Sequence, residues 1–563
     1  MNFGVSRFRR MLPVACMSLA MTNVADIVDS MIAGRILGES ALGAIELFWP
    51  WIEIVYFLAL TMASGTSILY SDAMGRFDKK RASELFSSGI FVAVGTGLGA
   101  VLALVFCCDG FAAFFGVDAE TSGPFGEYWR WYLPQAALFP LYLCVTTMVA
   151  ADGDRHVVTA SMIAEFAGNV LSSYILCRRM GVGGCALGTF CGTFLGLVVA
   201  CGHFFMKSNS LRLRRHFSFK DAGRAFVTDL PSSSVILFTG LVAALMNKLL
   251  VAEAGDIGLA VLSTVVMSNG TLMLLYGIPS AAQPILCIYL GEGNGRAVVS
   301  VMRDAVRQAS WMGLVLSGLM LAFPRVPAWL LGIDDPVCLA MSCKAVRIVG
   351  ASYVFWGLGT LILDYYLYVG RAGMSMALAT MQEFVFPVAG CWLGLAMFGT
   401  TGFWAGYAVS PVLSLAAFFL WLYMRRGRPF NPYLVEDPGD KVHDWTIVAD
   451  EKSASETAQA IHARLEEAGA PMKTAVKVDL LVEDAIMTIK ERNGGRRTLV
   501  ELTLDLREGV KVTFRDNGVV AESFTDSGGR DWFRAQTMGS VIGTASGRRT
   551  ALANGFNREE YSF

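Results

Sequence analysis

About twelve apolar stretches, each near twenty residues long, fill the first three quarters of this chain, and a stretch of that length crosses a bilayer as a helix. Inside lipid no water is available to bond the backbone, so each stretch must satisfy its own amides, and runs this long exceed a barrel strand. They lie near 13–36, 46–71, 85–108, 128–150, 156–177, 184–206, 230–252, 257–290, 306–333, 342–369, 374–397 and 401–424. The 257–290 stretch is over-long, which predicts a tilted or broken helix. Composition agrees: only 17% of the 563 residues are charged, and mean hydropathy is +0.50, values of a multi-pass membrane protein.

Basic residues gather on alternate loops. Arg7, Arg9 and Arg10 form one set; Arg76, Lys79, Lys80 and Arg81 a second; Lys207 to Arg224 a third. Arg296, Arg303 and Arg307, then Arg425, Arg426 and Arg428, complete the series, while the opposite loops are poorer. The positive-inside rule therefore predicts a cell-membrane protein with both termini cytoplasmic, in keeping with an even helix count. The first apolar run is full length and contains acids, so it reads as a span rather than a cleaved leader. The 12 cysteines fall mostly within apolar runs without CxxC spacing, and read as small core residues. The five histidines are scattered, and no GxxxxGK[ST] occurs, which argues against a zinc site, a histidine triad or an ABC-type motor.

Composition changes after Arg428. A turn-rich linker, 431–441, leads into a soluble segment, 442–563, with strand-like VKVTF (510–514 region) and the amphipathic helix SASETAQAIHARLEEAG. The membrane part looks duplicated at an offset of about 215 residues, with Gly65 answering Gly277 and Gly75 answering Gly291, each ahead of a basic amphipathic stretch. The predicted fold is thus an all-α polytopic membrane protein of twelve transmembrane helices in two six-helix bundles, 1–206 and 230–430. A cytoplasmic loop, 207–229, joins the bundles, and a small cytoplasmic α/β domain follows. Duplications of this kind place the substrate path between the halves, with rocking giving alternating access.

Acids inside apolar stretches are costly and point to function. Asp26 and Asp29 are three apart on the first helix and share a face. A carboxyl held there exchanges a proton or cation against substrate, with a pinned hydrogen-bonded acid as the structural reading. Glu46 and Glu53, seven apart on the second helix, line a cavity or sit at the interface near Trp49 and Trp51. Asp364 and Gln283 are candidate cavity residues of the second half. Glu383 is a further in-span acid, and Lys248 an in-span base that reads as a structural ion pair. Abundant Met, Phe and Trp suit a plastic cavity for bulky amphipathic cations, or plain packing.

Several motifs in order resemble the multidrug and toxic compound extrusion (MATE) family of antiporters over about residues 5–430. They are Pro13, IVDSMIAGRILGESALGAIELFWPW (27–51), GTSILYSDAMGR (65–76), RMGVGGCALGTF (179–190), GIPSAAQPILCIYLGEG (277–293) and TTGFWAGYAVS (400–410). The resemblance implies a cation-coupled exporter of small organic compounds, cationic ones among them, driven by H+ or Na+ and without a cofactor. It assigns Asp29 to the cation site of the N-terminal half. The family's fifth helix carries an Asn and, four residues on, an Asp; here these positions read Asn169 and Ser173. Glu165, one turn before Asn169, is the candidate for a replacement carboxylate.

The tail is similar to the histidine-kinase-type ATPase fold in its anti-sigma-factor version, on VDLLVEDAIMTIKERN (478–493) and DNG (516–518). The resemblance makes Asp484, Thr488, Asp516 and Gly518 the nucleotide-site positions. Thr488 stands where a Mg2+-binding Asn is expected, Val520 follows the DNG box, and TMGSVIGT (537–544) lacks a clean glycine lid. A threonine hydroxyl does not reproduce an amide oxygen at Mg2+, and a short lid offers fewer N–H donors to phosphate. The expectation is a non-hydrolysing regulatory domain docking a cytoplasmic protein, with ATP/Mg2+ binding as the alternative. Competing functions are a flippase for lipids or lipid-linked saccharides, which needs a more basic cavity, and a membrane sensor using the ATPase-like tail. The expected partners are a small-molecule substrate and the bilayer, not nucleic acid, and no enzyme activity is expected.

Overall fold

A computed structural model of the chain describes residues 3–37, 39–115, 122–206, 209–331, 333, 335–426, 432–433, 435, 439–494, 496–507, 509–519, 547–553 and 556–563. Within the first helices the side chains of 21–35 and 39–47 are outside that description. The N-terminal half comprises α1 (Phe3–Leu37), α2 (Glu39–Gly75), α3 (Lys79–Phe115), α4 (Ser122–Ala151), α5 (Arg155–Met180) and α6 (Val182–Cys201). The second half comprises α7 (Phe219–Asn269), α8 (Met273–Glu292), α9 (Gly295–Ala322), α10 (Arg325–Leu330), α11 (Pro336–Gly350), α12 (Tyr353–Tyr368), α13 (Ala372–Thr380) and α14 (Phe386–Arg426).

Among the described residues eight helices are long and apolar enough to cross a membrane, nine if α11 and α12, bent by 44°, count as one span. The expected twelve is therefore not reached by length and composition alone. The difference lies in α1 and α9, which are not among the eight, and in the 372–425 span, which is counted once although it has two arms. Helix α7 runs unbroken across the gap that the sequence places after 252. Helix α14 conceals a reversal: Phe398 and Gly399 leave helical geometry, with Gly399 at φ 62°. The two arms then lie antiparallel, Gly390 against Gly406 and Gly394 against Gly402, backbone to backbone. The expected loop 207–229 also ends early, because Ser218 caps α7 by accepting from the Asp221 amide. Lys220 and Arg224 consequently ride on the helix. The cysteine reading needs one correction: Cys177 and Cys185 form a disulfide across the α5–α6 turn.

The glycine pairs expected from the duplication all sit at helix crossings. A Cβ on Gly65 would strike the Ala225 backbone, joining α2 to α7. A Cβ on Gly277 would lie 2.6 Å from Cys16 Cα, joining α8 to α1. Gly75 and Gly291 meet each other, so α2 and α8 cross where only glycine allows the backbones to approach.

The C-terminal segment is two layers. Strands β1 (Val442–Val448), β2 (Leu499–Asp505), β3 (Lys511–Asp516), β4 (Gly547–Ala553) and β5 (Phe556–Ser562) form one antiparallel sheet in the order β1-β2-β3-β5-β4. Helices α15 (Glu451–Glu467) and α16 (Met472–Arg492) pack on one face, burying Ile461, Leu465, Leu481, Ile486, Leu502 and Phe514. All strand pairs among the described residues are antiparallel, so the described part of the domain is α+β rather than the expected α/β.

Candidate functional site

In the N-terminal half the glycines of α6 let α5 approach closely. A Cβ on Gly192 would lie 2.6 Å from the Asn169 amide, and one on Gly188 2.5 Å from the Ser173 amide. Asn169 and Ser173 are buried at this seam, and the Ser173 hydroxyl donates to Asn169 Oδ1 at 2.8 Å. The serine thus turns the asparagine oxygen inward on a neutral pair. Glu165 is half-buried, and its Cβ flanks Gly196 together with the Tyr142 ring. Helix α1 packs on α5, but the side chains of Asp26, Asp29 and Glu46 lie outside the described residues. Glu53 is half-buried on α2, and Lys248 is exposed on α7.

The described acids converge instead in the second half. Asp229 on α7 is 2% exposed and accepts from the Ser64 hydroxyl of α2 at 2.8 Å and from Ser233. It therefore touches both halves. Asp364 on α12 is buried, and the two carboxyls interact electrostatically. Asp364 Oδ1 has no hydrogen-bond partner among the described residues, although Ser232 approaches the carboxyl. A π-helical turn, Met381–Val385, carries Glu383 inward, where it accepts from Gln382 Nε2 at 2.9 Å. One-residue bulges of this kind re-aim side chains at functional sites.

Aromatic rings connect these acids. Tyr276 of α8 lies by both Glu383 and Asp364. Tyr407 of α14 lies by Glu383, faces the Trp356 ring at 5.6 Å and meets Asn269. The Tyr353 hydroxyl donates to Asn269 Oδ1 at 3.1 Å. Tyr368 interacts with Asp364 and Asp229 and donates to the Pro279 carbonyl of α8. Gln283, one turn beyond Pro279, shares that face of α8. Its Nε2, like Trp356 Nε1 and Gln382 Oε1, is buried without a partner among the described residues. Orphaned donors and acceptors beside acids and aromatic faces are what a site for an organic cation offers, through charge, hydrogen bonds and cation–π contact. Sequence reasoning named Asp364, Glu383 and Gln283 but missed Asp229. Its signal was an acid two residues before Pro231, at the edge of an apolar run.

In the C-terminal domain Asp516 is engaged by the domain's own residues. Its Oδ1 accepts from the Gly518 amide and Asn557, and its Oδ2 from Arg492, while burial pushes the carboxyl up against the pull of that arginine. Asn493 holds the same turn by accepting from the Val519 amide at 2.7 Å. A Cβ on Gly518 would collide with that asparagine. Thr488 is buried and Asp484 half-buried on α16. The 537–544 lid lies outside the described residues.

Comparison with known proteins agrees with this architecture. The MatE family model matches residues 14–175. A relative from Bacillus subtilis (strain 168), a probable multidrug resistance protein YoeA, is 21% identical over 318 residues, covering 54% of this chain and 68% of its own. A solved outward-facing MATE-family multidrug resistance transporter of the MOP superfamily superposes with TM-score 0.70 at 19% identity, covering 76% of this chain and 98% of its own. A MOP-superfamily transporter from Pyrococcus furiosus Vc1, described by a binding pocket of reverse polarity, gives TM-score 0.70 at 18% identity, covering 75% and 96%. The membrane part of this chain has the fold of the MATE transporters.

Proposed function

We propose that this chain is a secondary active exporter of small organic compounds, cationic ones included, which trades a proton for substrate at the acid cluster of its second half. The carrying observation is Asp364, whose Oδ1 lacks a partner among the described residues beside Tyr276 and Tyr368, with Tyr407 and Trp356 continuing the aromatic lining past Glu383. A proton and an organic cation compete for the same carboxyls, and competition at one site is the simplest coupling of two ligands. Asp229 extends the cluster to the boundary between halves, so relative movement of the halves alters its surroundings. The neutral Asn169–Ser173 pair supports a proton over Na+, since a serine stands at the fifth-helix position where the resemblance expects an acid. The multidrug resistance description of the relative points the same way. An acidic, aromatic lining does not suit a lipid-linked saccharide flippase, which needs basic residues.

Twelve spans follow when α1 and α9 are added to the nine and the 372–425 span is divided into its two arms. The Cys177–Cys185 disulfide supports the orientation with 178–185 outside the cytoplasm, because disulfides persist in oxidising compartments. The committed Asp516 supports a tail that does not hydrolyse ATP. The test is dye and drug transport in inverted membrane vesicles under separate proton and sodium gradients. Uptake driven by the proton gradient and lost in Asp364→Asn is expected. Uptake that follows Na+ alone, or persists at full rate in Asp364→Asn, rejects the reading.

A further inference from the structure

The outward face of an antiparallel sheet ordinarily meets water. In the C-terminal domain that face is charged, yet covered. The ladder places Glu501 opposite Arg515 and Arg515 opposite Arg558, a cross-strand row on the side away from α15 and α16. All three side chains are 2% exposed or less. What covers them is the end of the membrane domain.

Arg558 holds both halves at once. Its two terminal nitrogens donate to the Met74 and Gly75 carbonyls, each at 2.9 Å, at the end of α2. The same guanidinium pairs with Glu292 at the end of α8, 2.7 Å away, and lies 3.5 Å over the Phe77 ring. Arg515 pairs with Glu292 and with Glu501, which also accepts from the Tyr289 hydroxyl at 2.9 Å. Around this centre Asn294 donates to Asp444, and Arg296 and Arg507 donate to facing backbone carbonyls. On the other half, the Phe3 amide donates to Thr446, and the Phe3 ring meets Phe556 edge-on at 5.4 Å. Under the sheet lies the Gly75–Gly291 crossing of α2 and α8.

One further feature marks this contact. Phe77 is the single non-glycine residue with positive φ, 60°, among the described residues. Bulky residues avoid that region, so an aromatic ring kept there is held by what it touches.

We propose that the C-terminal domain is a latch across the two halves: it stays with the second half and, through Arg558, Phe77 and Phe3, keeps the cytoplasmic ends of α2 and α8 closed. This rests on the alternating-access reading, because a pathway that opens to the cytoplasm must part α2 from α8. Parting them strips Arg558 of two helix-end carbonyls and leaves its charge short of partners in a buried setting, a costly step. Among the described residues the second half holds the domain through the Glu292 ion pairs, the Tyr289–Glu501 and Asn294–Asp444 hydrogen bonds and the Arg296 and Arg507 donors, spread along the sheet, whereas α2 is held at its end through Arg558. The Arg558–α2 contact is therefore the one that releases.

Hydrogen-exchange mass spectrometry on the full-length protein tests the latch with two variants, Arg558→Met and Phe77→Gly. Phe77→Gly removes the ring while relieving the backbone, so a purely local structural role predicts slower exchange there. The expected result is exchange at least ~10-fold faster in segments 70–78 and 286–294 in both variants, with α16 protected as in the parent. Parent-like exchange at those segments in both variants overturns the proposal. Loss of α16 protection in step with them also overturns it, since Arg558 would then be a folding residue. The exchange readout needs no transported compound. A latch response in a protein that fails the vesicle assay would leave the latch standing and reject the exporter reading.

Discussion

Asp364 and Asp229 show what one residue discloses in a sequence and what it conceals. Asp364 stands alone in an apolar run, so the cost of its charge exposed it from the sequence. Asp229 lies where hydropathy falls off, and only the hydrogen bond from Ser64 reveals that α7 carries it between the halves. The glycine crossing is another residue-scale feature. A Cβ on Gly75 would sit 2.7 Å from the Ile288 carbonyl oxygen, and backbone cannot move aside cheaply. Gly75→Ala is expected to wedge α2 from α8 at the end that the C-terminal domain covers. Faster hydrogen exchange in 286–294 would show this, and unchanged exchange would contradict it. The sequence paired Gly75 with Gly291 through the duplication, but not that the two would touch.

At the scale of elements, the apolar stretches were legible because the bilayer imposes their length on the chain. Their ends were not. Helix α1 starts at Phe3, ten residues before the apolar run, because Phe3 and Phe8 are buried against neighbouring elements rather than in lipid. The α14 reversal was visible as two separate stretches, 374–397 and 401–424, whereas the continuity of α7 was not. Close packing of α5 on α6 yields a stability prediction. Gly192→Val places side-chain atoms against the Asn169 amide and Glu165 carbonyl, both backbone. Overpacking there should cost about 1–3 kcal/mol, read as a lowered melting temperature in detergent. An unchanged melting temperature would mean that α5 and α6 are less intimate than described.

For the whole molecule, the charged sheet face was the least legible part, since alternation in β2, β3 and β5 reads from sequence as a solvated side. Only the membrane domain's presence turns Glu501, Arg515 and Arg558 inward. Burial pushes the Glu501 carboxyl up to about 7, although Arg515 pulls it down. A second pair lies outside the interface: hydrogen bonding to Asp479 raises His462 above its ordinary value. The folded domain thus holds that proton more tightly than the unfolded chain does. Its stabilisation is complete below about pH 6.5 and fades as pH rises through the folded-state value. Calorimetric unfolding of the full-length protein should show His462→Gln lagging the parent at pH 6 and drawing level in alkali. A gap that widens in alkali would reverse the assigned sign.

The exporter reading turns on whether a proton leaves the second-half carboxyls when an organic cation arrives. Titrating purified protein with tetraphenylphosphonium in two buffers of different ionisation enthalpy measures that release directly. A buffer-dependent heat corresponding to about one proton released per cation bound is expected, and its loss in Asp364→Asn. Heats that are independent of buffer, or identical in Asp364→Asn, would contradict it.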